Sequence, residues 1–296
     1  MTGPAGHDAP ARPQTAGRGP VREELTKDPR RQQIARTHFA TLAALFNPGT
    51  FRRIEMLGIG PGWRCWEVGA GGATVPRWLA QRSSPGGRVL ATDRDVAALE
   101  DAVLRDTVLH DAAGSADGGF EILRHELGAD PPPDGGFDLV HARLVLMHVP
   151  DRDAALGTMV TALRPRGWLL VEDADPLLQP LACPDEHGPA AERANKLRVA
   201  TWKLMSRRTD LAFGRTLPRL LRSAGLAEVG ADAYISLAGP SQAQFQRTII
   251  ERQRDRLVGA GLATEAEIEQ HLADIEAGQV DLASFPVVSA WGRKPG

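Results

Sequence analysis

The apolar positions of this 296-residue chain change their period several times, and each change marks an element. Residues 1 to about 30 hold almost no large apolar side chains and are rich in Pro, Gly, Ala and charge. Such a segment buries too little surface to offset its ordering, so a disordered tail is expected. From Arg31 the pattern turns helical: Ile34, His38, Leu42, Leu45 and Phe46 fall on one stripe, and Pro48-Gly49 ends it. A shorter helix follows through Phe51, Ile54 and Leu57, and Gly58, Gly60, Pro61 and Gly62 break the chain. Residues 31–62 therefore read as a helical preface to the strand-bearing core, and 31–296 as one domain.

Apolar runs of strand length then alternate with helical patterns. Strands are expected at Cys65–Val68, Arg88–Asp93, Phe120–Arg124, Phe137–Val140 and Trp168–Val171. Helices are expected from Thr74, as N-cap with Pro76 in the first turn, and over Val96–Leu109. A third begins after Asp151 and buries Leu156, Met159, Val160 and Leu163. This alternation means βαβ units. Past the fifth strand come a helix through Leu197, Thr201, Leu204 and Met205, and another over Phe213–Ala224 ended by Gly225. Strand six is Ala227–Leu237, and Pro286–Trp291 is the last. Between these two lie a helix over Gln242–Val258 and one opened by the capping box Thr264-Glu265-Ala266-Glu267. The expected fold is α/β: a Rossmann-like, seven-stranded, mainly parallel sheet with helices on both faces. Residues 176–212 and 239–284 are helical insertions placed as a substrate lid would be.

Composition narrows the function. The net charge of −2 offers no basic field to gather phosphates, so no nucleic-acid partner is expected. No window approaches the ~18 apolar residues of a membrane span. The two cysteines, Cys65 and Cys183, have no metal-ligand or CxxC neighbour, so both read as free thiols in a reducing, cytoplasmic setting. No cluster has metal spacing, and no metal is expected. Oligomeric state is not readable.

In an open α/β sheet, ligands bind beyond the carboxyl ends of the strands. Polar residues stand there in order: Glu67 with Gly69 and Gly71, then Asp93, then His125 and Glu126, then His141 and Arg143. Asp93 comes 24 positions after Gly69, a distance at which an acid reaches ribose hydroxyls. Glu67 beside the glycine turn would repel a pyrophosphate, and Thr74 stands where a dinucleotide fold wants its last glycine. Both disfavour a nicotinamide oxidoreductase.

The run Glu67-Val68-Gly69-Ala70-Gly71-Gly72-Ala73 resembles motif I of the class I S-adenosylmethionine-dependent methyltransferases. Ala91-Thr92-Asp93, Arg124-His125-Glu126-Leu127, Phe137–Arg143 with Leu146–Asp151, and Leu163–Leu170 are similar to the later segments of that family. The likeness covers about residues 60 to 175, and the preface and the ending Val288–Arg293 resemble a subgroup acting on small molecules, often in natural-product biosynthesis. The resemblance implies S-adenosyl-L-methionine as cofactor and a small-molecule acceptor methylated on O, N or C. It places Gly69, Ala70 and Gly71 against the methionine part and gives Glu67 the orientation of the glycine loop and the amino group. Asp93 takes the ribose hydroxyls, Glu126 the adenine amino group, and Leu127 the adenine by its backbone. Arg94 stands where an apolar residue often covers the base, and Ala73 where a third glycine is usual. His148 is the leading base, because the family places that position near the transferring methyl; His141 is second, as a base or as a wall of the cofactor pocket. Asp173 and Asp175 are placed to touch substrate or hold a histidine, and Trp202 and Met205 to line an apolar acceptor pocket. A non-catalytic protein retaining the fold, and a methyltransferase with a peptide or protein acceptor, are the remaining alternatives.

Overall fold

The computed structural model describes residues 29–296 apart from positions 98, 102, 104–118 and 208. The strands are β1 (Arg64–Val68), β2 (Arg88–Asp93), β3 (Glu121–Arg124), β4 (Phe137–Arg143), β5 (Leu163–Ala174), β6 (Ala227–Tyr234) and β7 (Val287–Arg293). The helices are α1 (Pro29–Met56), α2 (Thr74–Ser83), α3 (Arg152–Ala162), α4 (Gly188–Met205), α5 (Leu217–Ser223), α6 (Pro240–Gly259) and α7 (Glu265–Glu276). Most of the helix expected over Val96–Leu109 lies outside the described residues, although Leu99 is helical and buried. No described helix is long and apolar enough to cross a membrane.

The sheet order is β3-β2-β1-β4-β5-β7-β6, with β1 to β5 parallel and β7 antiparallel to both neighbours. The order reverses between β1 and β4, and this crevice is where such sheets bind ligands. Strand side chains alternate between two faces. Trp66, Val68, Val140, Ala142, Leu169 and Val171 pack on one face under α3 and α5. Cys65, Leu139 and Leu170 face the other way, under Ile54 of α1 and Leu79 of α2. Each large apolar side chain buried in these layers contributes about 1.5–3 kcal/mol. A further cluster joins α4, α6 and α7 through Leu197, Leu204, Ile250, Leu257 and Ile268. Phe46, Trp202, Phe245 and Phe285 tie those helices to α1 and to the end of β5.

Three local expectations change. The preface is one helix, not two. Pro48 removes the N–H that would bond the Ala44 carbonyl, but Ala44 and Pro48 are both exposed, so water can take that carbonyl. The buried residues Phe46, Thr50 and Ile54 carry the helix past the proline. Next, Thr74 is the first residue of α2; the cap position is Ala73, which offers no side-chain acceptor. Finally, β4 and β5 extend beyond Val140 and Val171. His141, Arg143, Glu172 and Asp173 look like strand ends by polarity alone. His141, Arg143 and Glu172 stay in the sheet because other strands and α1 supply their partners, and Asp173 because the Met147 N–H in the turn after β4 does. The caps at Asp151, which accepts from the Ala154 N–H, and at Thr264 with Glu267 form as the sequence indicates.

Candidate functional site

A cavity of about 610 Å³ opens at the carboxyl ends of β1 to β4 and runs under α1, α4 and α6. Glu67, near the end of β1, and Gly69, Ala70 and Gly71 after it line the cavity, with Asp93 as the last residue of β2 and Arg94 after it. Glu126 and Leu127 line it after β3, and His148 after β4. Trp202 and Met205 of α4 line the other side.

The glycine loop is fixed by its own chemistry. Gly69 and Gly71 both have left-handed backbones, with φ of 62° and 59°. A Cβ on Gly69 would meet Val145 at 2.6 Å, and one on Gly71 would meet the Phe39 ring at 2.7 Å. These glycines are thus required by the protein's own packing as much as by the close approach of a ligand. The Gly71 N–H donates to Asp93 Oδ2 at 3.0 Å, and the Asp95 N–H to Asp93 Oδ1 at 3.0 Å. Each Asp93 oxygen keeps a further lone pair for a hydroxyl donor. The cradle therefore fits a ligand carrying a diol, and it presents the carboxylates of Glu67 and Glu126 to cationic or amino groups on either side.

His141 is not beside this chemistry. It does not line the cavity; it lies fully buried within β4. Glu67, His141, Glu172 and Ser289, from the adjacent strands β1, β4, β5 and β7, make a polar row two residues beyond the apolar layer Cys65–Leu139–Leu170. His141 Nδ1 is 2.5 Å from Glu67 Oε2, and Nε2 is 3.1 Å from Glu172 Oε2. Thr50, one turn before Ile54 on α1, donates to Glu172 Oε2 at 2.5 Å, and Ser289 donates to Oε1 at 2.5 Å. Arg143 completes the set, donating to Thr50 Oγ1 and to Asn47 Oδ1, both at 2.9 Å.

Two carboxylates here enclose two cations. Burial alone would lower the His141 pKa, but the charge of Glu67 and hydrogen bonds to both carboxylates outweigh it and raise the value to about 9. Burial alone would raise Glu172, yet the bond to His141, the charges of His141 and Arg143 and the Ser289 bond bring it down to about 2. An imidazole held as a cation donates from both nitrogens and cannot accept a proton, so His141 is removed as a base and becomes the group that fixes Glu67. The row's central acid, Glu172, is absent from the sequence reading. The available signal was period two: Glu172 shares its face with the buried Leu170.

His148 does reach the cavity, and it is exposed there. Partial desolvation, then the charge of Arg94, lowers its pKa below 6.5, so the ring is neutral at neutral pH and able to accept a proton. Asp173 and Asp175 do not line the cavity. Asp175 accepts from the Arg215 backbone N–H, Nε and Nη2. Asp173 Oδ2 accepts from the Met147 N–H at 3.3 Å, holding the turn before His148. Burial pushes Asp173 up to about 8, against the backbone N–H groups that favour its charged form. A carboxyl raised in the folded state costs stability as the pH climbs from its ordinary value of 3.8 to about 8. Asp173→Asn is therefore expected to flatten the fall in urea-denaturation stability between about pH 5 and pH 8. An unchanged slope would place the titration elsewhere.

Comparison with known proteins agrees with this geometry. Residues 66–169 match a methyltransferase domain family. Nocamycin O-methyltransferase of Saccharothrix syringae is 27% identical, over 88% of this chain and 96% of that protein. An uncharacterized 37.1 kDa protein in transposon TN4556 of Streptomyces fradiae is 28% identical, over 76% of this chain and 61% of its own length. Among solved structures, phosphoethanolamine N-methyltransferase 2 of Haemonchus contortus, in complex with S-adenosyl-L-methionine, superposes with a TM-score of 0.53 at 14% identity. That match covers 93% of this chain and 60% of that one, and the likeness is one of fold. The chain thus spans about three fifths of the length of the transposon protein and of this solved enzyme. The matched segment, residues 66–169, spans the glycine loop, the strand-end carboxylates and His148, so the likeness to a methyltransferase domain falls on the same residues that build the cavity.

Proposed function

We propose that this protein transfers a methyl group from S-adenosyl-L-methionine to O, N or C of a small molecule, of the kind made in secondary metabolism. The observation that carries the reading is one cavity with two ends. At one end stand the glycine loop, Glu67, Asp93 and Glu126; at the other, an apolar wall from α1, α4 and α6. The likeness to nocamycin O-methyltransferase along 96% of its length supports the class of acceptor. Residues 176–212 and 239–284 act as the lid of this cavity, since Trp202 and Phe245 come from them.

When bound, S-adenosylmethionine supplies an electrophilic methyl on a sulfonium. Asp93 holds the ribose, Glu126 the adenine amino group, Glu67 and the glycine loop the methionine part. The lid excludes water and keeps the two partners aligned, the main source of rate in an in-line transfer. His148 takes the proton of an acceptor that must lose one.

Transfer of labelled methyl from the cofactor to extracted acceptors tests the whole reading, and absence of cofactor binding in calorimetry would end it. His148→Ala is expected to lower kcat by about 10²-fold while leaving cofactor affinity intact. The rise of wild-type activity through the lowered histidine pKa should vanish in the variant. Unchanged turnover across the pH range would exclude His148 as the base.

A further inference from the structure

The glycine loop has little left to offer an anion. The Ala70 N–H donates to the Thr92 carbonyl, the Gly71 N–H to Asp93, and the Gly72 N–H to the Ala70 carbonyl. The carboxylates that line the cavity, Glu67, Asp93 and Glu126, suit hydroxyl, amino and ammonium groups. An α-amino acid end carries an ammonium and a carboxylate on one carbon. A site that holds both needs a cation close to its anion.

Arg143 stands in that place. β1 and β4 pair with Glu67 opposite His141 and Val68 opposite Ala142, so one step further along both chains comes Arg143 beside Gly69. Period two puts Arg143 on the face of His141, toward α1. Its Nη1 donates to Thr50 Oγ1 and its Nη2 to Asn47 Oδ1, both neutral acceptors at 2.9 Å. Asn47 Nδ2 in turn donates at 3.3 Å to Thr74 Oγ1, on the first residue of α2. These bonds aim the guanidinium without cancelling its charge, and they use two of its five N–H donors. Arg143 is half-buried and lines the cavity. Its Nε bonds nothing among the described residues and is not sealed from solvent, unlike the Nε of Arg53. Glu67 is open in the same way at Oε1, since His141 takes Oε2. Burial lowers the Arg143 pKa, and the charges of Glu172 and then Glu67 oppose it, so the two side chains lie within electrostatic reach. The other arginines of the cavity stand elsewhere: Arg94 follows Asp93 after β2, and Arg252 is on α6.

We infer that Arg143 receives the carboxylate of the cofactor's methionine end, while Glu67 Oε1 takes the ammonium on the same carbon. The inference deepens the methyltransferase reading and rests on it. Arg143 binds and moves no proton, so no bond forms or breaks at it. Thr50 and Asn47 are positioning residues: they hold the guanidinium fork, and through it α1 is tied to the cofactor end of the cavity.

The test compares S-adenosyl-L-methionine with decarboxylated S-adenosylmethionine, which keeps the sulfonium and the amine and lacks the carboxylate, by calorimetry. Wild-type protein is expected to prefer the first by about 10–10²-fold. Arg143→Gln removes the charge and keeps a donor for Thr50 or Asn47. It is expected to cut the preference to within about threefold, with the decarboxylated ligand bound to within about threefold of wild type. Arg143→Lys keeps the charge without the fork, so its preference should fall between those two. Asp93→Ala should weaken both ligands alike and keep the preference, which is also what a purely structural role of Arg143 would produce. Equal binding of the two ligands by the wild type, or a preference undiminished in either Arg143 variant, would overturn the inference alone. Binding of neither ligand by the wild type would end the methyltransferase reading with it.

Discussion

Asp93→Ala is expected to weaken S-adenosylmethionine binding by about 10²–10⁴-fold in calorimetry, the largest loss of any single change at the cofactor end. Two hydroxyls donating to one carboxylate are worth together about 3–6 kcal/mol, because hydrogen bonds to a charged acceptor exceed neutral ones. The alanine also strands the Gly71 and Asp95 N–H groups that Asp93 now accepts. With Gly71 on a left-handed backbone, that lost acceptor loosens the loop as well as the ribose contact. Asp93→Asn keeps one acceptor oxygen, so its loss should be smaller, about tenfold. Binding of Asp93→Ala within twofold of wild type, on the order of 0.4 kcal/mol, would place the ribose elsewhere.

His141→Ala is expected to cost about 3–5 kcal/mol of folding stability by chemical denaturation, the range for breaking a buried ion pair. It leaves Glu67 and Glu172 facing each other across the space of one ring, both nearly inaccessible to water. The pH dependence gives an independent reading. The folded pKa of His141, about 9, lies above its ordinary 6.5. Its stabilisation is therefore complete below 6.5 and is lost as the pH rises through 9. Glu172 has the opposite sign: depressed from 4.5 to about 2, it stabilises above 4.5 and fails only in strong acid. Wild-type stability should therefore fall between about pH 6.5 and 9, and the part of that fall above the Asp173 titration should be missing in His141→Ala. A variant as stable as wild type would mean that the row is solvated.

The sheet's framework was legible because buried strands write themselves as apolar runs. Arg88–Asp93 came out at its observed bounds, and β1 and β3 within one residue. Helix starts were legible where a side chain does the capping, at Asp151 and Thr264, and less so at Ala73, where none does. The cofactor end was readable because its residues follow strands in order, so topology alone gathers them. Buried charge was not readable. His141 and Glu172 carry the same letters as loop residues, and only the pairing of β4 with β1 and β5 puts them under α1. The acceptor wall was half readable. Trp202 and Met205 carried a hint, whereas Phe39, Phe245 and Arg252 are brought to the cavity by packing between distant segments. Pro48 misled for a local reason: its missing bond is cheap on an exposed face.

The polar row has a consequence for how the chain must fold. Glu172 collects Thr50 from 122 residues earlier and Ser289 from 117 residues later. A ribosome releases the β7 serine only after the other six strands described have been made. Until then β5 carries an acid with no hydroxyl donor on its β7 side, and the seam between β5 and β6 stands open because β7 must enter it. Contacts of such long sequence separation form late and slowly, since loop closure precedes any gain from them. The sheet is thus completed by insertion of β7 into a gap, and Glu172 gains its Ser289 donor only by that act of closing.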